Sequence, residues 1–121
     1  CDDKGILLLL DEVQCGMART GHMFAYELYG ITPDLLALGK GLGSGFPVSA
    51  CLATEEVGKA MEPDTHGTTF GGNPLAVAVG TSVLEIMTDK KFLPHVNHIS
   101  KYLREKLAKL AKKYPDFFQS H

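Results

Sequence analysis

Lys40 stands in Ala37-Leu38-Gly39-Lys40-Gly41-Leu42-Gly43-Ser44-Gly45-Phe46-Pro47, a lone amine in a glycine-rich turn just after an apolar run. Such a lysine is poorly suited to a core or a solvated helix face. It suits a place where a small charged molecule approaches the backbone and an amine must reach it. Upstream, Ile6-Leu7-Leu8-Leu9-Leu10-Asp11-Glu12-Val13-Gln14 is an apolar run that ends in acid. A carboxylate at the end of a buried strand is costly unless something pairs with it. A third segment, His66-Gly67-Thr68-Thr69-Phe70-Gly71-Gly72, brings two hydroxyls among glycines shortly before a helix start at Asn73-Pro74. Such a segment is a reasonable cradle for a phosphate.

Amine, carboxylate and hydroxyl-bearing loop together read as a pyridoxal 5'-phosphate site. Lys40 would meet the aldehyde and Asp11 would hold the pyridine nitrogen protonated. Forming a Schiff base needs a neutral amine, whereas free lysine titrates near about 10.4, so burial or a nearby cation would have to favour the neutral form. Val13 is placed to pack on a ring face and Gln14 to hydrogen-bond a ring hydroxyl. Each of these residues also has a plainer reading. Lys40 could belong to a phosphate-binding glycine loop, Asp11 could cap a turn, and the threonines could cap a helix. A Walker A loop is excluded, because Gly41 and not Ser or Thr follows the lysine. A dinucleotide fingerprint is opposed by Phe46-Pro47, where a helix would have to begin. A nucleotide-phosphate module and a non-catalytic structural piece stay open at this level.

Forty-five per cent of the 121 residues are hydrophobic and 21% charged, a globular balance. Twelve basic against fourteen acidic side chains give a net charge of −2. There is no basic stripe for nucleic acid and no polybasic anchor, and no apolar run approaches the roughly 20 residues that span a bilayer. Cys1, Cys15 and Cys51 are an odd, scattered set, which favours reduced thiols and a cytoplasmic setting over a disulfide framework. His95 and His98 have no evident third ligand, so no metal is expected. The chain opens on Cys1 and enters a strand within five residues, and Pro115 to His121 trails off without a stop. Both ends suggest a piece of something longer.

The elements that must position these residues alternate. Gly5 to Leu10 shows no period-two pattern and reads as a strand covered on both faces of a parallel sheet. His22 to Tyr29 reads as a short helix stopped by Gly30 and Pro33. Asp34 to Leu38 and Val48 to Ala53 are further strands. Thr54 is an N-cap for a helix from Glu55 to Met61. Asn73-Pro74 opens a buried helix to about Met87, and an amphipathic helix runs from Pro94 to about Lys113, with Ile99, Leu103, Leu107 and Leu110 in one stripe. The alternation implies an α/β layer with a mostly parallel sheet. Asp11 and Lys40 then both fall at carboxyl ends of strands, where ligands gather.

Asp11 to Gly21, the Lys40 segment, and His66 to Ala76 together resemble the class III, ornithine-type aminotransferases, in that family's order and across essentially the whole chain. Phe24-Ala25-Tyr26 and Ile31-Thr32-Pro33-Asp34 are most similar to members acting on N-acetylornithine, with members acting on ornithine or 4-aminobutyrate as near relatives. The resemblance implies a fold: the later part of the aspartate aminotransferase-like large domain over residues 1–88, and a linker helix with the start of the small C-terminal domain over 89–121. It implies that Lys40 carries the cofactor and moves the substrate proton. It assigns cofactor binding to Asp11, Glu12, Val13, Gln14, Lys40 and Thr69, the last reaching its phosphate across a homodimer interface. Thr68 would lie near the substrate. The implied reaction passes an amino group from N-acetylornithine to 2-oxoglutarate, in arginine biosynthesis. Family members are about three times as long, and their upstream half supplies a phosphate loop, a stacking aromatic and a carboxylate-binding arginine. The 121-residue piece is therefore expected to be inactive alone.

Overall fold

The computed structural model describes residues 1–118. Three short strands form one sheet in the order β1 (Leu9–Asp11), β2 (Leu35–Leu38) and β3 (Ala50–Ala53). β1 and β2 run parallel, with Leu9 opposite Leu35 and Asp11 opposite Ala37. β3 returns antiparallel, with Leu38 opposite Ala50. The expectation of a mostly parallel sheet is corrected here to a mixed one. The glycine-rich segment after β2 turns back within twelve residues and contains no crossover helix, so the next strand must run the other way.

The expected Gly5–Leu10 strand is also shorter and less covered than its composition implies. Ladder pairing starts only at Leu9, although Leu8 is tied earlier: its carbonyl accepts from the amides of Asp34 and Leu35, and its amide donates to the Asp34 carboxylate at 2.7 Å. Leu8 and Leu10 turn inward while Ile6, Leu7 and Leu9 are exposed, Leu9 by 57%. A run apolar on both faces is thus covered on one face by the described residues.

That covered face carries the core. Met17, Leu36, Leu38, Leu42 and Val83 are buried together, with Leu10, Met23, Phe24, Val79 and Met87 packed around them. Val83, Val79 and Met87 come from α2 (Pro74–Met87), which lies over the sheet. The Asn73 Oδ1 accepts from the Ala76 amide at 2.9 Å, so the Asn-Pro start reads true. The rest of α2 is less buried than its alanines and valines suggest: Leu75, Val77 and Ile86 face outward.

Around this core the smaller elements are trimmed. The expected 22–29 helix is a single 3₁₀ helix over Ala25–Tyr29, ended by Gly30 in the left-handed region. The expected 55–61 helix is one turn, α1 (Glu55–Gly58), and Thr54 at its N-cap makes no side-chain cap bond. α3 (Phe92–Lys113) starts two residues before Pro94. Proline is tolerated there because the first four amides of a helix have no intrahelical acceptor in any case. The tail of the assignment to 89–121, residues 119–121, lies outside the described residues.

Candidate active site

Two turns meet at the carboxyl end of β1 and β2. The first begins with Asp11, the last residue of β1, whose Oδ1 accepts from the Val13 amide at 3.0 Å. The chain then closes by a Gly16 amide donating to the Glu12 carbonyl at 2.9 Å. The second turn is the 3₁₀ segment Lys40–Leu42, entered through an extended Gly39. Parallel pairing of β1 with β2 sets both turns at the same sheet edge, as the strand-end argument requires.

Contact between the turns is direct. The Lys40 Nζ donates to the Gln14 Oε1, so residues 26 positions apart in sequence share a hydrogen bond. A Cβ added to Gly39 would lie 3.3 Å from a Val13 methyl, so Val13 stands close beside the lysine's turn. Lys40 sits at φ 39°, in the left-handed region that a non-glycine residue adopts only under constraint. Strain of this kind, of order 1–3 kcal/mol, gathers where a side chain must be aimed. Lys40, Asp11 and Gln14 are all exposed to an approaching molecule.

On the other side of Lys40 opens a groove of about 630 Å³, bordered by Arg19, Ser44, Met87, Phe92 and Val96. Its floor is Met17 and Ala18, both 3% exposed and both at positive φ, 54° and 68°. These residues were not singled out by motif reasoning. The paired glycines at 16 and 21 are the signal that could have found them, since they bracket a tight, non-helical excursion. Asn97 of α3 holds the far end of that excursion, its Nδ2 donating to the Gly21 carbonyl at 3.0 Å.

Glu12 goes elsewhere. It is 2% exposed, and its carboxylate accepts from the Ala25 amide at 2.7 Å and the Tyr26 amide at 2.8 Å. Read with its neighbours as a cofactor contact, it has both oxygens committed to the start of the 3₁₀ helix instead. Thr68 and Thr69 lie in an exposed loop before α2, where the Thr68 hydroxyl accepts from the Gly71 amide at 3.1 Å and Asn73 binds the Phe70 carbonyl at 2.7 Å. Among the described residues nothing brings this loop to Lys40.

The residues present fit pyridoxal phosphate chemistry at one end. An amine and a carboxylate stand at the ends of adjacent parallel strands, an amide side chain lies between the turns, and Gly39 brings the lysine's turn close against Val13. The nucleotide alternative fits less well. The glycine-rich turn leads through a 3₁₀ segment into β3, so no helix N-terminus follows it to receive a phosphate. Among the described residues no three His, Cys, Asp or Glu side chains gather to hold a metal, and no helix is long and apolar enough to cross a membrane.

Comparison with known proteins agrees with this geometry. A profile of the aminotransferase class-III family matches residues 1–120. The acetylornithine aminotransferase of Mesorhizobium japonicum is 50% identical over 116 residues, which is 96% of this chain and 29% of that protein. That of Rhodobacter capsulatus is 49% identical over 119 residues, 98% of this chain and 30% of its own length. Among solved structures, the acetylornithine aminotransferase of Elizabethkingia anophelis superposes with a TM-score of 0.88 at 40% identity, covering 93% of this chain and 28% of that one. The ornithine aminotransferase of Toxoplasma gondii gives 0.84 at 39% identity, over 90% of this chain and 26% of that one. The chain thus spans about 30% of the length of the relatives it matches. With the family profile running over nearly every residue and the amine, carboxylate and amide meeting at one sheet edge, this chain belongs to the class-III aminotransferases.

Proposed function

We propose that the chain is the lysine-bearing part of an enzyme that moves an amino group from N-acetylornithine to 2-oxoglutarate with pyridoxal 5'-phosphate, a step of arginine biosynthesis in the cytoplasm. The observation that carries the reading is the Lys40–Gln14 hydrogen bond at the strand ends that also bear Asp11. The relatives named acetylornithine aminotransferase support the choice of donor, and three free cysteines accord with the compartment.

Within this reading each residue has a task. The cofactor, when bound, supplies an aldehyde and a pyridine ring that withdraws electrons from the substrate's reacting carbon. Lys40 offers its amine to that aldehyde, and in the reaction it takes and returns the substrate proton through Nζ. Asp11 keeps the ring nitrogen protonated by charge, Val13 packs on the ring, and Gln14 orients Lys40 and the ring hydroxyl. Thr69 offers its hydroxyl to the phosphate held by a neighbouring copy in a homodimer, and Thr68 lies beside the substrate. Residues 1–88 belong to the large domain and 89–121 open the small one. The chain alone supplies too few of these groups for turnover.

The test is to add pyridoxal phosphate to the chain, reduce with borohydride and map the label. A visible absorption band with label on Lys40 is the expected result. Label scattered over surface lysines such as Lys59 and Lys106 overturns the reading of a pre-arranged half-site.

A further inference from the structure

Among the described residues Glu12 is the one charged side chain that is buried, and it does not line the groove beside Lys40. Among the described residues its charge meets no cation, since the ion pair present, Lys59–Glu55, lies on the surface. What compensates it is a set of amides. Its carboxylate accepts from Ala25 at 2.7 Å and Tyr26 at 2.8 Å, its own amide donates to the Ala37 carbonyl at 2.9 Å, and its carbonyl accepts from Gly16 at 2.9 Å. A buried carboxylate with both oxygens bonded to amides is rigid, because moving it leaves charge and donors unpaired together.

The four bonds reach three separate parts of the chain. One extends the β1–β2 ladder by a residue, one closes the 12–16 turn, and two grip the 3₁₀ helix Ala25–Tyr29, whose Tyr26 stacks on the preceding Phe24, both packing on the core. Glu12 lies between Asp11 on one side and Val13 and Gln14 on the other. Fixing its position fixes where those three emerge. Room for this arrangement comes from Gly16, where an added Cβ would lie 2.8 Å from the Glu12 carbonyl oxygen and 3.1 Å from its Oε2.

We propose that Glu12 is the positioning residue of the site: a buried carboxylate that sets the emergence of Asp11 and Gln14, and through Gln14 the placement of the Lys40 amine, without itself touching cofactor or substrate. The inference rests on the functional reading above for what Asp11 and Gln14 do, but its geometric part concerns Lys40 in the cofactor-free protein.

The test uses the full-length protein carrying this sequence, as E12Q, as G16A, and as E27Q, a control on an exposed acid of the same 3₁₀ helix. The Glu27 carboxylate accepts a long 3.4 Å cap bond from the Phe24 amide, which glutamine's carbonyl can keep. Glutamine keeps the shape of Glu12 but turns one acceptor into an NH₂ facing an amide donor. Alanine at 16 keeps the carboxylate but presses on the Glu12 carbonyl oxygen at 2.8 Å and on its Oε2 at 3.1 Å, so it shifts the 12–16 turn and the carboxylate together. In the cofactor-free protein, the rate of Lys40 acylation relative to Lys59 is expected to rise by about two- to tenfold in E12Q and G16A, as one hydrogen bond on the amine loosens. With pyridoxal phosphate added, affinity is expected to fall about tenfold, with a shifted visible band, while E27Q stays at wild type. Should E12Q fail to fold, G16A carries the same readouts. If both variants melt earlier yet keep wild-type acylation, affinity and band, Glu12 is structural only and the proposal falls. If the wild type binds no cofactor while Lys40 acylation still responds to E12Q, the positioning stands and the cofactor reading fails.

Discussion

Gly39, Gly41 and Gly43 alternate along one turn, yet they are required to different degrees. A Cβ at Gly39 would meet a Val13 methyl at 3.3 Å, a contact relieved by a shift of a few tenths of an ångström. At Gly41 it would meet the Met17 Cβ at 2.8 Å, on a residue held by its own left-handed backbone. At Gly43 it would fall on the carbonyl of Phe46, whose amide is already bonded to Gly43 at 2.9 Å. Gly43→Ala is therefore expected to cost about 3 kcal/mol of stability and Gly39→Ala less than about 1 kcal/mol, in paired urea melts. Similar losses for the two would sink this ranking. The motif pattern shows that glycines matter here, but the order of need depends on which atoms approach from elsewhere in the chain. The same holds for the candidate site: Lys40, Asp11 and Gln14 can be picked out by residue type, whereas the burial of Glu12 depends on amides thirteen and fourteen residues away.

Elements were legible where a local signal decides them. Asn73-Pro74 fixes the start of α2 because a side-chain acceptor and a ring-locked φ act within three residues. Thr54 carries the same kind of signal without the bond, and α1 is a single turn that ends at Gly58. The two caps make a contrast that can be measured. Asn73→Ala is expected to lower stability by about 1 kcal/mol and Thr54→Ala by only a few tenths, read from thermal melts. A Thr54 effect equal to that of Asn73 would contradict the cap geometry. Strand extents were less legible, since Gly5 to Leu10 is uniformly apolar and composition cannot say which residues find ladder partners. The direction of β3 was misread for a related reason. Alternating signals favour a parallel sheet, while the short Gly39–Ser49 connection decides otherwise.

At the scale of the molecule, one core is shared by a sheet face and α2, and much apolar surface remains open. Ile6, Leu7 and Leu9 lie exposed in and just before β1, and Ile99, Leu103, Leu107 and Leu110 run exposed along α3. Chains of this length rarely leave contiguous apolar stripes in water unpartnered. The 121-residue chain is expected to associate with rising concentration in sedimentation velocity, and L103E with L107E to shift it toward monomer. A wild-type chain that stays monomeric across a hundredfold concentration range would contradict this. Relatives in which this segment is about 30% of the length have further chain with which to cover such faces. The α/β class and the position of the site at a strand edge could be read from the pattern. How much of each face is covered could not, because coverage depends on what packs against it.

The bond between Asn97 and Gly21 makes α3 a lever. At about 1.5 Å per residue its 22 residues extend about 33 Å, with the Asn97 anchor roughly 8 Å from the start. The arm beyond that anchor is about three times as long as the arm before it. A small swing of Lys113 about that anchor would be geared down to about a third of its amplitude at Phe92, which borders the groove.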